Sequence, residues 1–391
     1  MTAPKRVAIL GATGSIGTQA LQVLRDLRRA GHAFQVIALA AGRNVETLAA
    51  RVVEFGVQRV GAAGPTEADR LRQLLPPMTE IVHGSEGLAH LASLPDVDLV
   101  LNAVVGAAGL GPTLAALDAG KTLALANKES LVIGGELVLR ARRRPDQIVP
   151  VDSEHAALFQ ILEGRRPGEI ERAWITASGG PFRGRSFADL SAVTPAEALA
   201  HPVWPMGRRI SVDSATLANK AFEVIEARHL FSLSWERIGV LIHPQAQVHA
   251  LVEFLDGTVL AQLAPPDMRI PIQSALTHPS RCTSRTERLS LPKLDVSFEA
   301  LVSGRYPAFD AVLEAGQRGG TAPAVANAAD EVLVEAFLRG AIPFTAIAEG
   351  ITTVLADHSC FPVQNMADVL DADNWAREEA REVVARWTRN V

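Results

Sequence analysis

An α/β fold in three parts is predicted for this chain: a Rossmann-like nucleotide-binding domain, an α+β catalytic domain with a mixed sheet, and a C-terminal helix bundle. Three observations predict it. A short apolar strand runs directly into a glycine-spaced turn and an amphipathic helix. Strand and helix patterns continue to alternate over the first half. Beyond Tyr306-Pro307 the spacing turns helical and alanine-rich, with no strand pattern left. The 391 residues, 48% of them apolar, exceed one core, because single cores stop growing at roughly 250–300 residues. The expected partition is 1–150, 151–285, a linker over 286–312, and 313–391.

A formal net charge of -5 leaves no basic excess for nucleic acid, so a small-molecule partner is expected. Cys282 and Cys360 stand far apart and form neither a zinc motif nor a disulfide framework. Two unpaired thiols suit a reducing cytoplasm. The first residues run straight into strand-like Val7-Ala8-Ile9-Leu10, with no visible targeting segment. The most apolar long window, Val97 to Ala119, is interrupted by Asp98, Asn102, Pro112 and Asp118, whereas a membrane span needs roughly 20 mostly apolar residues.

The first strand feeds Gly11-Ala12-Thr13-Gly14-Ser15-Ile16-Gly17 and a helix through Leu21, Leu24 and Leu27. Glycines there let the backbone approach a pyrophosphate, and the helix N-terminus aims N–H groups at it. An ordinary tight turn is the competing reading. The second strand, Phe34 to Leu39, ends in Gly42-Arg43-Asn44 with no acid in reach. An NAD site usually carries an acid there for the ribose hydroxyls, whereas an arginine suits a 2′-phosphate, so NADPH is expected over NADH. Strands at Val97–Asn102 and Thr122–Leu125 follow, the latter ending in Asn127-Lys128-Glu129-Ser130. Asn127 and Glu129 would meet the ribose or nicotinamide, and Lys128 would face a second, anionic substrate. The alternative is a surface lysine beside a capping Ser130.

Val151-Asp152-Ser153-Glu154-His155 follows the apolar run Ile148-Val149-Pro150. Continued as an extended segment, the run places the Asp152 and Glu154 carboxylates on one face. Two carboxylates in one space repel unless a cation sits between them. The competing readings are that both are solvated loop acids, or that Asp152 or Ser153 caps a helix starting near Glu154. Next come Ser178-Gly179-Gly180, whose hydroxyl and flexible backbone suit an oxyanion, and His201 to Gly207, a segment rich in Trp, Met and Pro that could close over a ligand or pack as a loop. In Ser211 to Glu226, Ser211 or Asp213 would cap a helix starting near Ala215. Asn219, Lys220 and Glu223 share a face of that helix, either as a surface ion pair or with Glu223 as a third carboxylate. Three acids without a cysteine or histidine cluster select Mg²⁺ or Mn²⁺ over zinc. His243 reads as a structural, hydrogen-bonded histidine, and the C-terminal helices show no chemistry.

In order, Gly11 to Gly17, Ala126 to Ser130, Pro150 to His155, Ser178 to Phe182, His201 to Gly207, and Asn219-Lys220 with Glu223 resemble the 1-deoxy-D-xylulose 5-phosphate reductoisomerase family, essentially end to end. The resemblance implies NADPH-dependent conversion of 1-deoxy-D-xylulose 5-phosphate to 2-C-methyl-D-erythritol 4-phosphate, by metal-assisted retro-aldol and aldol steps followed by hydride transfer. It implies Asp152, Glu154 and Glu223 as metal ligands, and Ser178, Ser214, Asn219 and Lys220 as contacts to the substrate phosphate and hydroxyls. Lys128, Ser153 and His201 then stand around the sugar chain. Thr13, Gly14, Ser15, Ile16, Gly42, Arg43, Asn44, Asn127, Glu129 and Gly207 fall on the NADPH site. Glu154, Lys128 and water are the candidates for moving protons, and the family is homodimeric.

Three positions depart from the family pattern. Arg43 replaces a frequent lysine, Pro205 stands where a polar residue is common and would stiffen the lid, and Asp330 replaces an asparagine. A metal-independent NADPH dehydrogenase, whose activity would survive EDTA, and a non-catalytic NADPH sensor are the rival functions. A direct comparison of NADPH and NADH binding checks the cofactor reading; a preference for the 2′-phosphate is expected, and equal affinity would remove it.

Overall fold

Residues 3–204 and 206–389 are described by the computed structural model. They group into two units: Met1–Ser130, Leu137–Phe159 and Asp267–Glu287 form the first, and Leu131–Glu136, Gln160–Pro266 and Arg288–Val391 the second.

The first unit is built on β1 (Lys5–Leu10), α1 (Ser15–Arg29), β2 (Phe34–Ala40), α2 (Val45–Phe55), β3 (Arg59–Ala62), α3 (Pro65–Leu74), β4 (Glu80–His83), α4 (Gly84–Ser93), β5 (Leu99–Asn102), α5 (Leu110–Asp118), β6 (Thr122–Leu125), α6 (Glu129–Ala141) and β7 (Ile148–Pro150). All seven strands are parallel, in the order β4-β3-β2-β1-β5-β6-β7. This is the doubly wound sheet expected from the sequence. Val7 to Leu10 are buried on both faces, which is why β1 reads as an unbroken apolar run rather than an alternating one. Leu21, Leu24 and Leu27 of α1 pack the same core. The strand order reverses between β1 and β5, and it is there, at the carboxyl ends, that such sheets bind ligands.

Helix α7 (Ser153–Leu162) leads on to β8 (Ile170–Ala177), α8 (Pro195–Leu199), α9 (Arg208–Thr216), α10 (Ala218–Phe231), β9 (Ile238–Ile242), β10 (Val248–Phe254) and β11 (Val259–Leu263). The chain then forms α11 (Arg269–Thr277), whose Ile272, Ala275 and Leu276 join the core of the first unit. The Lys5 ammonium donates to the Leu276 carbonyl at 2.8 Å. Packing therefore returns 267–287 to the first unit, where a partition read along the chain kept it with the second.

The strands of the second unit form a mixed sheet in the order β11-β10-β8-β9-β12, with β12 being Glu299–Ala300. Only β8 and β9 run parallel. The expected linker thus supplies an edge strand, and α12 (Pro307–Arg318) begins inside it. Helices α13 (Ala322–Leu338), α14 (Ala346–Asp357) and α15 (Met366–Arg389) complete the unit. Helix α15 starts earlier than the expected Asn374, because Asn365 accepts from the Ala367 and Asp368 amides while Asp368 accepts from those of Gln364 and Asn365. The small side chains of α13, from Ala322 to Ala329, are buried.

Asp330 lies fully buried on α13. Burial pushes its carboxyl up to about 6, against the pull of Arg209. A carboxyl whose folded pKa exceeds its unfolded value favours the folded state while protonated and loses that contribution as pH rises through about 6. Asp330→Asn should therefore raise Tm relative to the parent chain at pH 8, by a few degrees, and by less at pH 4.5, as read by calorimetry.

Candidate active site

Within the first unit the nucleotide crevice is made by backbone contact. Gly11 leaves β1 at φ +87°, and a Cβ there would lie 2.2 Å from the Ala103 carbonyl oxygen after β5. A Cβ on Gly17 would lie 2.3 Å from the Gly11 carbonyl. Only glycine allows both approaches. Gly14 is the N-cap of α1 and no side chain caps that end, so Ser15 and Ile16 open a helix terminus suited to a pyrophosphate; Thr13 sits in the turn before it. Gly42, Arg43 and Asn44 are exposed beyond β2, and Asn44 caps α2 by accepting from the Thr47 amide at 3.2 Å. Sequence reasoning missed Arg51, whose guanidinium reaches from α2 to the Ala12 carbonyl and the Thr18 hydroxyl.

At the end of β6, Asn127 is buried. Its amide nitrogen lies 2.8 Å from the Val104 carbonyl, 3.0 Å from that of Gly106 and 2.9 Å from the Glu129 carboxylate. Glu129 also accepts from the Gly106 amide at 3.1 Å. The two residues brace the 104–106 loop beside the glycine turn. Ser130 is likewise buried, bonded to Asn127 and Thr113. Lys128 is not a surface lysine: its ammonium is 2.7 Å from Asp152 Oδ2, and both side chains are largely buried.

The expected extended run through Asp152 and Glu154 is corrected. The strand stops at Pro150 and α7 starts at Ser153, so a helix start rather than a pleat sets the two acids, as in the second competing reading. The Asp152 carbonyl accepts from the Ala156 amide at 2.8 Å, closing the first turn. Ser153 Oγ donates to Glu154 at 2.5 Å. That turn also brings fully buried His155 to 3.4 Å from Asp152 Oδ1. Its place three residues after an acid at a helix start is the signal that the sequence carries for this contact.

The second unit holds the residues expected to contact an oxyanion. Gly179 and Gly180 have φ of +86° and +66°, and a Cβ on Gly180 would lie 2.6 Å from the Ser214 carbonyl. The β8 loop therefore lies directly against α9. Ser178 Oγ accepts from the Gly180 amide at 3.2 Å and lies 2.9 Å from His201 Nε2. His201 Nδ1 accepts from the Val203 and Trp204 amides at 3.2 and 2.8 Å. With Nδ1 an acceptor, the proton sits on Nε2 and is donated to Ser178. Burial holds the His201 pKa below its usual value, which keeps this neutral tautomer at pH 7. The Ser178 hydroxyl hydrogen is then not used by His201 or Gly180 and is available to an anion. Pro205 lies outside the described residues; Gly207 precedes α9 as its N-cap.

The helix expected from Ala215 is two helices. Ser211 and Asp213 lie inside α9 rather than capping it, and the break falls at Leu217, at φ +59°. Helix α10 is buried nearly all round, including Lys220 and Glu223. The surface ion-pair alternative is thereby removed. Glu223 is held by Asn219 Nδ2 at 2.5 Å and by the Lys220 ammonium. His243 donates from Nδ1 to the Ser297 carbonyl at 2.8 Å and accepts at Nε2 from the Gln247 and Val248 amides, a structural role. Burial takes His249, whose ring centroid lies 6.3 Å from that of Trp204, down to about 4.

Family models described as 1-deoxy-D-xylulose 5-phosphate reductoisomerase and its C-terminal domains match residues 7–135, 148–231 and 263–379. The enzyme of that name from Symbiobacterium thermophilum is 49% identical over 98% of this chain and 99% of its own length. The one from Kitasatospora griseola is 47% identical over 97% and 100%. A solved structure of the Zymomonas mobilis enzyme in complex with NADPH superposes with a TM-score of 0.89 at 41% identity, covering 97% of this chain and 99% of its own. Another, in complex with NADPH, fosmidomycin and magnesium, gives 0.89 at 37% identity, covering 97% and 98%.

Proposed function

The chain belongs to the 1-deoxy-D-xylulose 5-phosphate reductoisomerase family, and we propose that it performs that family's reaction with the residues described above. It is an NADP-dependent oxidoreductase that converts 1-deoxy-D-xylulose 5-phosphate to 2-C-methyl-D-erythritol 4-phosphate, with NADPH and a divalent metal as cofactors. The pyrophosphate lies on Thr13 to Ile16, the 2′-phosphate on Gly42 to Asn44, and the nicotinamide end at the loop braced by Asn127 and Glu129; Gly207 is assigned to the cofactor as well.

Asp152, Glu154 and Glu223 hold the metal. The donor set fits a hard cation: all three offer carboxylate oxygens, and Asp152 and Glu223 already each neutralise a lysine ammonium. Bound there, the cation supplies Lewis-acid polarisation of the substrate carbonyl and the adjacent hydroxyl. Ser178, Ser214, Asn219 and Lys220 bind the phosphate and hydroxyls, with His201 aligning the Ser178 donor. Lys128, oriented by Asp152, and Ser153 face the sugar chain, and Lys128 or Glu154 is placed to carry a proton. Along the chain the work divides into 1–150 for NADPH and 151–285 for metal and substrate, with the helices of 313–391 as support.

The observation that carries this reading is the Lys128–Asp152 pair at 2.7 Å, set at the carboxyl ends of the sheet whose switch point carries the glycine turn. Following NADPH absorbance with the sugar phosphate, with and without Mg²⁺ or Mn²⁺, tests it. Consumption that stops in EDTA is expected; persistence would favour a metal-independent dehydrogenase. Glu223→Gln should lower turnover by roughly 100-fold or more while NADPH affinity stays within about twofold. Turnover and metal affinity like the parent's would make Glu223 a structural acid.

We also place the chain in the cytoplasm, which its two free cysteines suit, and assign it a homodimer. Among the described residues no helix is long and apolar enough to cross a membrane. The edge strand β11 supports the dimer: Val259 and Leu260, with nearby Leu255, are 53%, 37% and 63% exposed, a pattern edge strands avoid unless covered. Light scattering should read twice the 41.6 kDa chain mass, and Val259→Lys should shift it toward one.

A further inference from the structure

The C-terminal helices carry a buried ionic chain that the reaction does not use. Arg209, in the first turn of α9, places Nη1 2.7 Å from Glu331, Nη2 3.1 Å from Asn327 and 3.3 Å from Asp330, and Nε 3.3 Å from Asp213. The second oxygen of Glu331 receives Arg377 of α15 at 2.7 Å, and Arg377 is in turn forked onto Asp373 at 2.6 and 3.1 Å. The Asp213 side chain is 5% exposed and that of Asp330 0%. Holding so many charges away from water is costly unless the geometry is kept. The arrangement is more than surface decoration.

Its outer end meets the phosphate contacts. Asp213 directly precedes Ser214 on α9, and the Ser214 carbonyl is the atom that Gly180 packs against, two residues after Ser178. A shift or rotation of α9 would therefore move Ser214 relative to Ser178. We propose that Arg209 is a positioning residue for the substrate phosphate: by tying α9 to α13, and through Glu331 and Arg377 to α15, it sets where Ser214 presents its hydroxyl. The planar guanidinium suits this because one fork reaches both helices, which a lysine ammonium does with less angular control. The inference rests on the assignment of Ser214 to the phosphate.

The test measures KM for the sugar phosphate, kcat and NADPH affinity in Arg209→Ala, Arg209→Lys, Glu331→Gln and Ser214→Ala, with inhibition by inorganic phosphate as a second probe of the same subsite. Arg209→Ala is expected to raise substrate KM and the phosphate inhibition constant together, by about tenfold, with NADPH affinity within about twofold. Arg209→Lys should recover part of that loss. Glu331→Gln, which leaves α9 untouched, should move the same two constants by less. If Arg209→Ala does not fold, Glu331→Gln and Arg209→Lys decide the matter. A rise in KM for Ser214→Ala with no change in the Arg209 and Glu331 variants overturns the positioning role alone. No change in Ser214→Ala overturns the phosphate assignment beneath it. Losses in KM, kcat and NADPH affinity that track a falling Tm would mark Arg209 as merely structural and also overturn the proposal.

Discussion

The backbone of Gly11 passes so close to the Ala103 carbonyl that even a methyl group has no room between them. The architecture of the first unit follows from that approach. It lets β1 and β5 sit side by side while their connections leave in opposite directions, which opens the crevice at the strand ends. Gly17 then lets α1 lie against the turn, so the positive end of the helix faces the crevice. The loop opposite is stiffened from behind by Asn127 and Glu129, which spend their polar atoms on backbone groups. On the proposed reading, cofactor recognition is thus largely a matter of backbone shape, with Arg43 supplying charge at the rim.

A second constraint is electrostatic. Buried carboxylates need compensation, and each unit provides it with a lysine: Lys128 for Asp152 and Lys220 for Glu223. Such acids are held in fixed directions by their ion pairs, and carboxylate oxygens are the donor type that a hard cation selects. The histidines take the complementary role. His201 and His249 are kept neutral by burial, so they orient hydroxyls and loops as hydrogen-bonding groups rather than as cations. On the proposed reading, the positive charge available to a substrate phosphate then comes from lysine.

The C-terminal helices, silent on a chemical reading, hold a largely buried ionic chain. Its link to α9 makes the helix that bears Ser214 part of a braced assembly rather than a loop hung from the sheet. Asp330 adds a carboxyl to this chain at a place where burial disfavours its charge.

Local pattern determined a great deal by itself. The doubly wound half, the mixed sheet and the helical tail could be read because strand and helix periodicities and glycine spacing are properties of neighbouring residues. The acids, lysines and serines proposed for the site were nameable from motif order for the same reason. Local pattern was weakest wherever one turn or one charge decided the outcome. Asp152 and Glu154 read as an extended pair, yet the chain turns into a helix between them. One left-handed residue, Leu217, splits an apparently continuous helix. Lys128 and Lys220 read equally well as surface residues. The return of α11 to the first core, the pairing of Lys128 with Asp152 and the fork of Arg209 join residues far apart along the chain. Only tertiary structure decides such contacts, because their energy depends on burial and direction that no stretch of sequence carries by itself.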